Sequence, residues 1–196
     1  MYKTEIENYV PSNEEEAQDK KAILQFIERN PDCLLRDNLM AHMTTSAWIV
    51  NEKHDKILMC FHNIYNSWSW IGGHADGDDN LLRVALKEAK EESGISNFKA
   101  LDDKVFSIEC LYVLGHYKRG KYVNCHQHLN VTYLLEANEE DTLKIKPDEN
   151  KGLAWFSFDE VLTKPTEPWM IEHVYKKLIE KTKHFLKKSN LVSIIK

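Results

Sequence analysis

The sequence predicts an α/β domain in which a mixed β-sheet is covered by helices on both faces, preceded by an N-terminal helical extension. Three observations predict it. Short runs rich in β-branched and aromatic residues, "TTSAWIV", "KILMCF" and "SWSWI", are separated by polar turns. A helix-period segment from about Asn80 to Ser93 follows them, and a second apolar stripe, Ile171, Val174, Leu178 and Phe185, recurs at helical spacing near the end of the chain. Strands flanked by helices on both sides bury two apolar faces as a layered sandwich.

Taken in order, Ser12 followed by Glu15 reads as a capping box, and Ala22, Ile23, Phe26 and Ile27 continue a helix from 12 to 29 until "NPDC" breaks it. Residues 1–41 are expected to form the extension and 42–196 the main domain. After the strand-rich region and the helix at 80–93, "VFSIECLYVLGHYKRGKYVNCHQHLNVTYLLEA" reads as two long strands joined in a hairpin at Lys118 to Lys121. "GLAWFSF" is a further strand. The last helix is expected to start near Glu167 and Pro168, proline being favoured in a first turn. The closing "LVSII" is a candidate for packing within the chain or for a homodimer contact.

The 196 residues are 29% charged and 42% hydrophobic, the balance of an ordinary globular domain. A net charge of -5 argues against an extended nucleic-acid footprint and for small-molecule chemistry. Cys33, Cys60, Cys110 and Cys125 are scattered without metal-type spacing, so reduced thiols are expected. "MYKTEIENYV" lacks the pattern of a signal peptide, and no apolar run approaches the roughly 20 residues a membrane span needs. A cytoplasmic protein with no membrane contact is the expectation.

The segment "KEAKEESGI" then poses a problem. Leu82, Ala85, Leu86 and Ala89 share one helical face, and Glu88, Glu91 and Glu92 fill an adjoining arc about 100° wide. Like charges at this spacing repel, and anions near a helix C-terminus oppose its dipole, at a few tenths to about 1 kcal/mol each. Either Lys87, Lys90 and water neutralise the cluster, or a hard divalent cation such as Mg²⁺ sits there and is shared with substrate phosphates. The preceding loop, "WIGGHADGDD", places adjacent glycines Gly72 and Gly73 where the backbone can approach a ligand closely, with Asp76, Asp78 and Asp79 after them.

Loop and helix together run Gly73, five residues, Asp79, seven residues, then Lys87-Glu88-Ala89-Lys90-Glu91-Glu92-Ser93-Gly94-Ile95. This resembles the Nudix box, G-x5-E-x7-R-E-U-x-E-E-x-G-U, with Asp79 in place of the first Glu, Lys87 in place of Arg and Ala89 at the aliphatic position. The resemblance extends over about residues 42 to 188 and implies a Nudix-type α/β/α sandwich with a mixed sheet. It implies hydrolysis of a diphosphate linkage in a nucleoside diphosphate joined to another group, with Mg²⁺ or Mn²⁺ and an attacking water. By the same resemblance Glu88 and Glu92, with the Gly73 carbonyl, would ligate metal, and Glu91 would ligate a second ion or help activate water. Glu149, six residues before Trp155, would be a further carboxylate, as metal ligand or base. Asp79 and Lys87 would form the pair that braces loop against helix.

Outside the box, His126, His128 and Asn130 in "CHQHLN" alternate onto one strand face, as a structural feature, a substrate contact or a zinc pair without an evident third ligand. His74 is placed to approach phosphates; Trp48, Trp68, Trp70 and Trp155 read mostly as core, with Trp68 or Trp70 also able to stack on a base near the cleft. "GHYKRGKY" imitates part of a phosphate-binding loop, but Tyr122 replaces the required Ser or Thr and the segment lies between strands, so a hairpin turn is expected, with Lys118, Arg119 and Lys121 in solvent or facing phosphates. Two other readings of the same fold remain at this point: a non-catalytic Nudix-like nucleotide-binding regulatory module, and a prenyl diphosphate isomerase.

Overall fold

The apolar positions of the N-terminal segment form two helices where one was expected: α1 (Tyr2–Asn8) and α2 (Glu14–Arg29). The cap of α2 is shifted one residue from the expected box. Asn13 accepts from the Glu16 backbone N–H at 2.8 Å, and the Glu16 side chain, not that of Glu15, reaches back to the Ser12 N–H at 2.7 Å. Glu16 is fully buried, which ties the cap to the core. The computed structural model describes residues 2–118 and 120–194, with side chains to 188, so Arg119 and the side chains of the closing "LVSII" lie outside the described residues.

The sheet is built around β1 (Ala41–Asn51), all of whose residues are buried. β2 (Lys56–His62), β3 (Ser67–Ser69) and β4 (Ile71–His74) follow; β3 pairs with β2 and β4 folds back on β1. The expected single strand "SWSWI" is therefore split, because Trp70 turns into the core between two different partners. After α3 (Leu81–Ser93) come β5 (Lys99–Ala100), β6 (Ser107–Val113), β7 (His116–Lys118), β8 (Lys121–Val123) and β9 (His126–Ala137). β6 pairs antiparallel with β9, and the expected hairpin is interrupted: β7 and β8 form a separate ribbon in which the Tyr122 ring packs against Gly115. β9 runs parallel to β1 from Ala41 opposite Gln127 to Asn51 opposite Ala137, which makes the sheet mixed. β10 (Asn150–Ser157) closes the other side on β2.

Alternation along the strands separates two cores. Met43, Ala47 and Ile49 of β1 join Ile6, Ile23 and Ile27 from α1 and α2 and Leu81, Ala85 and Ala89 from α3. Trp48 and Val50 face the other way, onto Val174, Tyr175, Leu178 and Ile179. These belong to the last helical run, which starts with α5 (Pro168–Met170) after the short α4 (Phe158–Val161), passes through a π-helical turn at Ile171–Tyr175 and continues as α6 (Lys176–Ile194). Trp48 donates its indole N–H to Thr182 at 3.0 Å. No described helix is long and apolar enough to cross a membrane.

The second face is not wholly apolar. Asn130 accepts from Thr44 and Ser46 and donates to Glu109 at 3.0 Å, and Glu109 lies 3.0 Å from Lys177 of α6. Glu16 lies 3.4 Å from the same lysine and 2.8 Å from Lys181. The N-terminal extension, the sheet and α6 thus share one buried network of polar side chains.

Candidate active site

α3 begins at Asn80, whose side chain accepts from the Arg83 N–H, and ends at Gly94, whose φ of 76° is the left-handed conformation that glycine adopts without strain. That end is held by the segment leading into β10 and by the first residue of that strand. The Lys144 N–H donates to the Ser93 carbonyl at 2.7 Å, and Asn150 donates its side-chain amide to the Glu92 carbonyl at 3.1 Å. These bonds deliver Glu149 to the helix terminus. Glu88, Glu92 and Glu149 each offer a carboxylate oxygen within 4.8 Å of the other two.

Glu92 is 2% exposed. Burial, followed by the charges of Glu149 and Glu88, pushes its carboxyl up to about 8. Burial likewise raises Glu88, against the pull of Lys87 and Lys146. Lys146 lies 3.1 Å from Glu149 and 3.2 Å from Glu91; burial works against its charge, but those carboxylates outweigh it and hold it at about 12. One ammonium serves several carboxylates, so the cluster keeps an excess of negative charge. An all-oxygen donor set with unbalanced charge suits a hard divalent cation such as Mg²⁺.

Gly73 sits directly against this cluster. A Cβ there would stand 2.6 Å from Cδ and 2.7 Å from Cγ of Glu88, so only glycine leaves that carboxylate where it is. Glu91 points elsewhere: its side chain is 42% exposed and paired with Lys87 and Lys146. The convergent trio is Glu88 and Glu92 with Glu149, the further carboxylate the sequence suggested, and Glu91 is not part of it.

The expected brace between Asp79 and Lys87 is not formed. Lys87 Nζ lies 3.5 Å from Glu88 and 3.7 Å from Glu91, and among the described residues no ion pair joins it to Asp79. Other pairs hold the loop: Arg83 donates to both carboxylate oxygens of Asp78 at 2.6 and 2.9 Å, and Arg36 binds Asp76 in the same two-pronged manner. An arginine fork fixes a carboxylate's orientation, which a lysine does not.

Trp70 is corrected as well. It is 7% exposed with its ring edge-on to Tyr175, so it belongs to the core and cannot stack on a base. Trp68 is half-buried, edge-on to Phe61 and Phe156. His74, His126 and His128 do come together, joined by His42 from β1, which the sequence reading did not single out. They lie on the opposite side of β4 from Glu88, since His74 pairs with Thr44 and Gly73 with Thr45 in adjacent, oppositely facing registers. A signal for His42 was present in "HMTTS", whose polar His42, Thr44 and Ser46 alternate as His128, Asn130 and Thr132 do. Lys146 carried no signal beyond its spacing of three from Glu149.

A family model described as "NUDIX domain" matches residues 40–178. Among solved structures, an Ap4A hydrolase from C. elegans is similar at 18% identity and a TM-score of 0.53, over 74% of this chain and 98% of that one. A NUDIX family hydrolase from Clostridium perfringens is similar at 20% identity and 0.52, over 72% and 96%. The E. coli dihydroneopterin triphosphate pyrophosphohydrolase is similar at 12% identity and 0.52, over 69% and 95%. No curated protein matches the sequence.

Proposed function

The chain belongs to the NUDIX family of hydrolases, and on that premise we propose that it cleaves a diphosphate linkage in a nucleoside diphosphate joined to a second group, in the cytoplasm, using Mg²⁺ or Mn²⁺. The observation that carries this reading is the convergence of Glu88, Glu92 and Glu149 beside Gly73, with Glu92 pushed up to about 8 by burial and like charge. Such a cluster is unfavourable by itself and becomes favourable once a cation and a polyphosphate share it.

Glu88, Glu92 and Glu149 would hold the metal. When bound, the ion neutralises charge on the phosphoryl oxygens and lowers the pKa of a water. The chain's own groups do the rest. Lys146, kept cationic between Glu91 and Glu149, offers a fixed positive charge to a phosphoryl oxygen and orients the Glu149 carboxylate. Glu149, the least buried of the trio, is the group we assign to take the proton from the attacking water. Gly73 keeps Glu88 in place by having no side chain. The similarity to hydrolases described as acting on Ap4A and on dihydroneopterin triphosphate supports a polyphosphate substrate without selecting one.

The test is incubation with Mg²⁺ and a panel of nucleotide sugars, dinucleoside polyphosphates, ADP-ribose, NADH, nucleoside triphosphates and prenyl diphosphates, with product analysis. Metal-dependent release of phosphate esters that disappears in Glu92→Gln supports the proposal. Nucleotide binding without turnover would replace the enzyme with a regulatory module, and isomerised prenyl diphosphate would replace hydrolysis.

A further inference from the structure

We propose that His42, His74 and His128, with His126 alongside, form a second metal site, for a borderline transition-metal dication such as Zn²⁺, separate from the carboxylate cluster. The four residues come from three strands that meet at one end of the sheet: His42 from the start of β1, His74 from the end of β4, and His126 and His128 from the start of β9. His42 and His128 are register partners in the parallel pair, so their side chains share a face. Ring centroids lie 5.1 Å apart for His42 and His74, 5.2 Å for His42 and His128, and 4.9 Å for His74 and His128. One ligating nitrogen from each lies within 4.8 Å of the other two. Rotation of the half-buried His74 and His128 rings can close this to the ~3.3 Å spacing set by Zn–N bonds of about 2.0–2.1 Å.

The hydrogen bonds assign the tautomers. Nδ1 of His42 lies 3.1 Å from the Asn38 carbonyl, which can only accept, so Nδ1 carries the proton and Nε2 presents a lone pair. His42 is 4% exposed, and that Nε2 is buried without any partner. A buried acceptor left unsatisfied has lost its water without gaining a donor, so its place in a ring of imidazoles calls for a ligand. His126 is set up alike: Nδ1 donates to the Asn124 carbonyl at 2.8 Å, leaving Nε2 as a lone pair 3.1 Å from Nε2 of His128. Metal-binding histidines are held in this way, with the remote N–H on a carbonyl fixing ring and tautomer.

A phosphate is the other occupant to weigh, since Arg36 is near. It would need N–H donors, and His42 turns a lone pair toward the cluster while burial holds His74 and His128 neutral. Neutral imidazoles with no carboxylate among them select a borderline dication over Mg²⁺. Binding involves no covalent chemistry.

The test uses the full chain, freed of metal with a chelator and titrated with Co²⁺ as a visible-absorbing substitute for Zn²⁺. One equivalent giving d–d bands that Zn²⁺ abolishes is expected, unchanged in the Glu88→Gln/Glu92→Gln variant and weakened at least tenfold in His42→Ala and in His128→Ala. Absence of d–d bands, or bands lost in the glutamine variant but kept in both alanine variants, overturns the site. X-ray absorption of the Zn²⁺-loaded wild type needs no variant to fold: an imidazole nitrogen shell supports the site and an oxygen-only shell overturns it. Because the readout is spectroscopic and the glutamates are varied separately, the outcome is independent of whether the chain hydrolyses diphosphates.

Discussion

The side chain of Glu88 occupies the space that a Cβ on Gly73 would fill, 2.6 Å from Cδ. The obstruction is a side chain, not backbone, so Gly73→Ala can be accommodated by swinging Glu88 away. The expected result is at least a tenfold loss of kcat/KM and a higher Mg²⁺ requirement, with little change in Tm. Gly72→Ala provides the contrast. There the new Cβ would meet the Thr45 carbonyl oxygen at 2.6 Å, inside the sheet, and stability should fall by about 1–3 kcal/mol. Thermal melts and steady-state kinetics on both variants separate the two effects.

Glu92 makes the metal-free protein pH-sensitive. Its folded carboxyl lies at about 8 against an ordinary 4.5, so the folded state holds a proton that the unfolded chain releases. The stability that proton confers is complete below about pH 4.5 and is lost as pH rises through 8. In a chelator, the wild type should therefore lose on the order of 2–4 kcal/mol across that window from this group. Glu92→Gln should flatten the loss, melting above wild type at pH 8 without metal, and should no longer gain Tm from millimolar Mg²⁺. Denaturant melts at pH 5 and 8, with and without Mg²⁺, check this; equal pH slopes in the two proteins would refute it.

These two sites show what the chain discloses before it folds. The helix bearing Glu88 and Glu92 and the glycines ahead of it were legible because charge repulsion and glycine's lack of a side chain are local matters. So were most strands, through their alternation. What escaped depends on contacts between distant segments. Trp70 keeps two readings, core and base-stacking, until β3 and β4 are seen to pair with different strands. Glu149 reaches Glu88 and Glu92 because Asn150 and Lys144 fasten the later loop to the end of α3, a contact with no sequence period. His42 and His128 lie 86 positions apart, and only the parallel β1–β9 register makes them neighbours.

The missing brace between Asp79 and Lys87 gives a prediction opposite to the family pattern. Since Lys87 is directed to Glu88 and Glu91, a double-mutant cycle with Asp79→Ala and Lys87→Ala should return a coupling below about 0.3 kcal/mol. The same cycle on Asp78 and Arg83, which are joined through two donor nitrogens, should return a larger coupling than the first pair, though a small one, since the pair is well aligned but exposed. Urea denaturation of the single and double variants measures both; a larger coupling for the first pair would restore the expected brace.

Glu16 should govern the acid limb of stability. Burial alone would raise its carboxyl, but Lys181, the Ser12 N–H and Tyr9 hold it down at about 2. A depressed carboxylate stabilises the folded state above its ordinary value of 4.5, and that contribution drains away as pH falls toward 2. Lys177 lies 3.4 Å and Lys181 2.8 Å from Glu16, so neutralising it leaves two buried ammonium groups of α6, of which Lys177 still has Glu109 at 3.0 Å. Glu16→Gln should cost about 3–5 kcal/mol at pH 7, as expected when one member of a buried ionic cluster is removed. The gap from wild type should narrow as pH drops from 4.5 to 2, because the wild type then loses the same charge. Denaturant midpoints for both proteins across that range are the measurement, and a gap independent of pH would mean that packing of the side chain, not its charge, joins the N-terminal helices to α6.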